Sequence, residues 1–141
     1  PFFRARGSGQ HVLPVGKLDL TTPQGRLGKW GEEHARRYLE GKSYKVSATN
    51  YRSRWGEVYI NAQLGEEMVF VEVKTRRGTA FGTPEESVTA TKAQRLIATV
   101  QGYLQKNSLE QAPWRADLVS ISPDEQGKLL RLEHMENAVG E

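Results

Sequence analysis

The sequence predicts a single α/β domain in which a central mixed β-sheet is flanked by helices, an αβββαβ core. Three observations predict it. Two segments carry apolar residues at helical spacing, and strands alternating at period two lie between them. A further strand follows the second helix, the order that a crossover between parallel strands requires. The chain has 141 residues, about one domain's worth and enough to bury a core without covalent staples.

Residues 1–25 hold Gly7, Gly9, Pro14, Gly16, Pro23 and Gly25 with no sustained apolar period. They read as an extended N-terminal arm, with a short strand over 12–15 as an option and the folded domain over 26–141. From Arg26 the pattern changes. Leu27, Trp30, His34, Ala35, Tyr38 and Leu39 recur at helical spacing, and Gly41 supplies a stop. Residues 44–48 read as a short strand, and Asn50 to Arg54 as a polar turn or bulged connection. Residues 57–63 and 68–75 are two strands joined by turn chemistry at 64–67, a hairpin. A Gly- and Pro-bearing loop over 76–84 leads to a second helix near Thr91, where Thr91 and Gln94 form a capping-box pattern. Leu96, Ile97, Val100, Tyr103 and Leu104 are its buried stripe. Residues 116–121 form the fourth strand, and 129–133 an edge strand.

Composition removes several classes. Cysteine is absent, so disulfides and thiolate metal sites are excluded, in keeping with a reducing compartment. No apolar run reaches the roughly 18 residues of a bilayer span. Residues 1–25 show no signal-peptide core. The expectation is a cytoplasmic protein without membrane association. A net charge of +3 and a pI near 9.3 are compatible with nucleic acid but do not establish it.

The third strand carries the chemistry. Residues two apart on a strand share a face, so Val69, Val71 and Val73 form one face while Phe70, Glu72 and Lys74 form the other. A Glu–Lys pair on a solvated face is the bland explanation. The second strand places Glu57, Tyr59 and Asn61 on a common face, and if the hairpin brings that face beside Glu72 and Lys74, two carboxylates and a lysine converge. Oxygen ligands of this kind suit hard divalent cations. Phosphodiester cleavage needs a metal to offset phosphate charge and activate water, and a lysine to hold that water.

Several motifs fit one pattern in order and spacing. They are Gly28-x-x-Gly31-Glu32, Tyr38-Leu39, Asn50-x-Arg52, Gly56-Glu57-Val58, Val69 to Arg76, Phe81-Gly82-x-Pro84, Lys92-x-x-Arg95, Asp117-x-Val119 and Glu136-Asn137-Ala138. The pattern resembles the uncharacterised bacterial family UPF0102, also called YraN-like. That family is distantly similar to archaeal Holliday junction resolvases in the PD-(D/E)XK nuclease superfamily. The resemblance runs from about residue 27 to 138 and leaves the arm uncovered. It implies a restriction-endonuclease-like fold and a Mg²⁺- or Mn²⁺-dependent site acting on DNA. Glu72 and the Val73 carbonyl would bind the metal, Lys74 would position the water, and Glu32 would approach as a helix-borne acid. By analogy with resolvases, the partners would be nucleic acid and a second copy of the chain.

One departure matters. The family pattern is Gly-Glu-Ile-Asp-Leu-Ile, whereas this chain reads Gly56-Glu57-Val58-Tyr59-Ile60-Asn61. Tyr59 stands where the metal-anchoring Asp belongs, and a neutral phenol is a poor Mg²⁺ ligand. Either Glu57 takes over the metal at some loss of geometry, or catalysis is lost and the chain binds DNA or a repair partner. A basic interaction protein with no nucleic-acid role is a third class, separated from these by salt-dependent DNA affinity.

Arg52, Arg54, Arg76, Lys92 and Arg95 are the candidate phosphate-binding rim. Lys92 and Arg95 sit in the first turns of a helix, where cations oppose the dipole. For each alone, an ordinary solvated surface explains it as well. Trp55 could stack on a base or pack on the sheet. Asp117 reads as structural, paired with a nearby Arg, and neither His11 nor His134 has zinc spacing.

Overall fold

The computed structural model of the protein describes residues 22–54, 56–77 and 89–138. Residues 1–21 of the arm, the optional strand at 12–15, His11, Trp55 and the Phe81-Gly82-x-Pro84 motif lie outside them, while residues 22–25, expected in the arm, are the cap and first turn of α1. The elements are α1 (Pro23–Gly41), β1 (Lys45–Ser53), β2 (Gly56–Leu64), β3 (Glu67–Thr75), α2 (Ala90–Lys106), β4 (Trp114–Pro123) and β5 (Leu129–Met135). They build one five-stranded sheet in the order β1-β2-β3-β4-β5. Only β3 and β4 run parallel, joined through α2, and the other neighbours are antiparallel. The sheet is therefore mixed, with the expected hairpin at its middle and β5 at an edge. No helix among the described residues is long and apolar enough to cross a membrane.

Local chemistry sets the boundaries. Thr22 caps α1, its hydroxyl accepting from the Gly25 amide at 3.0 Å, and Pro23 follows where no amide hydrogen is needed. The helix thus starts ahead of the apolar stripe that marks it in the sequence. In α2 the cap is Thr89, which accepts from the Lys92 amide at 3.2 Å. This replaces the expected Thr91–Gln94 box; Thr91 lies inside the helix. The polar run after Asn50 is also not a turn. It continues β1, with Tyr51 opposite Val58 and Arg52 opposite Glu57. Asn50 adopts φ 58°, a left-handed conformation that Asn tolerates better than most residues.

The two faces of the sheet hold two apolar clusters. Val69, Val71 and Val73 pack with Ile60, Val119 and Ile121 under Ala35 and Leu39 of α1. Phe70 packs with Val58 and Ala116 under Leu96, Val100 and Leu104 of α2. A buried polar network closes the α1 side. Burial alone would raise the Asp117 carboxyl, but hydrogen bonds from His134, Arg115 and the Asn137 amide outweigh it and hold it below its ordinary value. The donors are Arg115 Nε at 3.0 Å, Arg115 Nη2 at 3.2 Å, His134 Nε2 at 2.8 Å and Asn137 N at 2.9 Å. Asp117 is thus the structural acid expected, with Arg115 as its partner. His134 is structural too: its Nε2 lies against the carboxylate, and its Nδ1 is 3.0 Å from the Tyr38 hydroxyl.

Candidate functional site

The site forms where β2 and β3 part. Their ladder runs from Leu64 opposite Glu67 to Ile60 opposite Val71 and stops. Beyond it, β3 pairs with β4 alone, Glu72 opposite Leu118 and Lys74 opposite Ser120, while the start of β2 pairs with β1 alone. The fork opens a cavity of about 280 Å³ lined by Gly56, Glu57, Tyr59, Glu72, Lys74, Lys92, Arg95 and Leu96. Strict alternation on β2 breaks at the fork: Val58 joins the α2-side cluster, whereas Ile60, two residues on, joins the α1-side one.

Two glycines bring the helices to the fork. A Cβ on Gly31 would lie 1.9 Å from Thr75 Oγ1, so only glycine lets α1 rest on the end of β3. That close approach sets Glu32, the next residue, near the acids of the cleft. Gly56 adopts φ 149°, and a Cβ there would meet Thr99 Oγ1 of α2 at 3.1 Å. The start of β2 thereby lies against the helix that carries Lys92 and Arg95.

The acids come in with partners. Glu72 Oε2 is 3.3 Å from Lys74 Nζ, with side chains 17% and 19% exposed. The pair is therefore not the solvated surface pair of the bland explanation. Burial raises the Glu72 carboxyl, opposed by Lys74 and Lys92. Glu57 Oε1 is 3.4 Å from Arg52 Nε, side chains 27% and 18% exposed. Burial raises this carboxyl too; Arg52 opposes the shift and Glu72 adds to it. Glu32 is pushed up to about 7, by burial first, with a hydrogen bond from Asn50 opposing and the charge of Glu57 adding. The Tyr59 phenol is raised by burial and by Glu57, Glu72 and Glu32, and keeps its proton. On α2, Lys92 is lowered by its contact with Lys74 and then by burial.

Most of the expected site residues thus converge, but their roles divide. Glu57, Glu72, Lys74, Lys92 and Arg95 line the cleft, and Glu32 stands within electrostatic reach of Glu57. Arg52 is the counter-ion of Glu57 rather than an outer rim residue. Arg54 is exposed beyond β1. Arg76 follows β3, its amide donating to the Ile121 carbonyl at 3.0 Å, and its charge reaches Lys92. Val73 sits in the β3–β4 ladder with its side chain in the α1-side core. Asn50 is the site residue that sequence reasoning missed as such. Its signal was an Asn opening the stretch that reads as a polar turn, a residue type that tolerates the left-handed region.

A family model for the uncharacterised protein family UPF0102 matches residues 31–121. The chain belongs to this family. Among the family's other proteins, one from Dehalococcoides mccartyi is 43% identical over 114 residues, covering 81% of this chain and 93% of its own. One from Symbiobacterium thermophilum is 43% identical over 113 residues, covering 80% and 95%. One from Roseiflexus castenholzii is 40% identical over 123 residues, covering 86% and 99%. The match spans both arms of the fork, so the cleft lies within the part of the chain that defines the family.

The donor set does not fit the divalent cation that the nuclease resemblance implies. Among the described residues, no three His, Asp or Glu side chains come together to hold a metal ion. The two acids of the cleft each carry a basic partner. The third oxygen on the cleft wall is the protonated phenol of Tyr59.

Proposed function

We propose that this chain binds nucleic acid by its phosphodiester backbone, at the cleft between β2 and β3, as a module of nuclease-like architecture. The observation that carries this reading is the convergence of Lys74 from β3 with Lys92 and Arg95 from α2 on one cavity. Fixed cations in a concave site are what a phosphate backbone requires, and they carry little base information. The similarity of Glu72-Val73-Lys74 and of the element order to PD-(D/E)XK nucleases supports DNA as the target.

A second reading is hydrolysis of the bound phosphodiester with Mg²⁺ or Mn²⁺. It draws on Glu32 and Glu72 both standing within electrostatic reach of Glu57 and on Lys74 beside Glu72. The donor set weighs against it, and binding is the better-supported function. Fluorescence anisotropy with labelled duplex and branched DNA, between about 50 and 200 mM salt, tests the binding reading. Affinity should fall steeply with salt and depend little on sequence. Lys92→Ala and Arg95→Ala should each flatten the salt slope by about one contact. Binding that is insensitive to salt, or undetectable at low salt, would refute it.

A further inference from the structure

We propose that the cleft holds its phosphodiester with the chain's own cations and without a divalent metal. This rests on the nucleic-acid reading above and adds how the phosphate charge is met. In a metal-bridged site, clustered carboxylates leave excess negative charge, and the ion neutralises it while carrying the phosphate. Here that charge is closed from within: Arg52 Nε stands 3.4 Å from Glu57, and Lys74 Nζ stands 3.3 Å from Glu72. All four side chains are less than a third exposed, so solvent screens both pairs weakly.

The balance of the cavity points the same way. Its wall carries three cations, Lys74, Lys92 and Arg95, against two carboxylates, Glu57 and Glu72. Behind the wall, Arg52 seated on Glu57 adds a fourth cation and Glu32, within reach of both Glu57 and Arg52, a third acid, so cations still outnumber carboxylates. A dication entering this field must displace or share two ion pairs and meets net repulsion, whereas a phosphate meets net attraction. Tyr59 completes the change. Its phenol keeps its proton, so it can donate a hydrogen bond to a phosphate oxygen but offers no anionic ligand. The site works as an anion seat built on a frame of paired acids.

Two measurements on the full chain test the proposal together. Anisotropy with labelled DNA is run in EDTA and in MgCl₂ at matched ionic strength, and calorimetry titrates MnCl₂ into the protein without DNA. The expected result is equal DNA affinity with and without metal, and no stoichiometric Mn²⁺ binding. Lys92→Ala and Arg95→Ala should each weaken DNA binding in EDTA by about tenfold. Tyr59→Asp should gain Mn²⁺ binding. Arg52→Gln, which uncovers Glu57 without adding a buried charge, should gain it too, and it serves if Tyr59→Asp does not fold. DNA binding that appears only with metal overturns this proposal alone. So does stoichiometric Mn²⁺ binding by the wild type. No DNA binding with or without metal overturns the nucleic-acid reading and this proposal with it.

Discussion

Replacing Glu32 by Gln should stabilise the fold at alkaline pH and leave it unchanged in acid. Glu32 is raised from 4.5 to about 7, chiefly by burial. A carboxyl whose folded value lies above its unfolded one binds its proton more tightly in the folded state. Its favourable contribution is therefore complete below about 4.5 and is lost as pH rises through about 7. A separation of about 2.5 units, at 1.36 kcal/mol each, sets a ceiling of roughly 3.4 kcal/mol. Glu32 is only partly buried, and relaxation and water reduce the ceiling to about 1–2 kcal/mol. Gln preserves the shape and can still bond Asn50, but it has no charge to bury. Urea unfolding of both proteins at pH 4.5, 6, 7 and 8.5 should give curves that coincide in acid and separate by that amount in base. A ¹³C-carboxyl titration of the wild type should show Glu32 changing near pH 7. If the variant shifts stability equally at every pH, Glu32 does not titrate near neutrality, and the burial argument for the cleft fails. If the prediction holds, the chain keeps at its cleft an acid that weakens the fold at neutral pH, the mark of a group placed for the site rather than for the core.

Three further outcomes follow from the same geometry. Asp117→Ala should cost about 3–5 kcal/mol in urea unfolding, because it strands Arg115 and His134 inside the fold. Asp117 is held below its ordinary value, so its contribution is present above the unfolded value near 3.8 and disappears as pH falls through the folded one. Asp117→Asn should accordingly lose part of the acid-unfolding limb of the wild type. Gly31→Ala should cost about 1–3 kcal/mol, since its Cβ would stand 1.9 Å from Thr75 Oγ1. Adding Thr75→Ala should recover part of that, and strictly additive costs would show that the contact is not the cause. Thr89→Ala should cost about 1 kcal/mol and speed amide exchange in the first turn of α2. No change there would return the cap to Thr91.

The third strand was legible in the sequence and the second only in part, and the difference is physical. β3 stays in unbroken register with β4 from Met68 to Thr75, so period two holds. Its valines go to the α1 side and Phe70 to the α2 side, as alternation predicts. β2 loses β3 as a neighbour beyond Ile60 and meets Asn50 of β1, whose φ is 58°. With the ladder open on one side and the facing strand kinked, the pleat slips, and face assignments by counting from Asn61 to Glu57 lose their basis. The α2 cap was misplaced for a different reason. Thr89 and Thr91 are both sound caps by local chemistry, and the path of the chain into the helix decides between them.

The roles of the cations were hidden by register rather than by residue type. Arg52 and Glu57 belong to separate motifs and look like a rim cation and a site acid. The antiparallel pairing of β1 with β2 places them directly opposite each other, and residues so placed interact as a cross-strand pair. Two positions earlier on β1, Asn50 reaches Glu32 on α1. The Asn50-x-Arg52 motif is thus a clasp: one residue bonds the helix acid and the other neutralises the strand acid. An acid-rich fork that would otherwise need an external cation is held by its own neighbouring strand, and Lys74, Lys92 and Arg95 line the same cavity beside it.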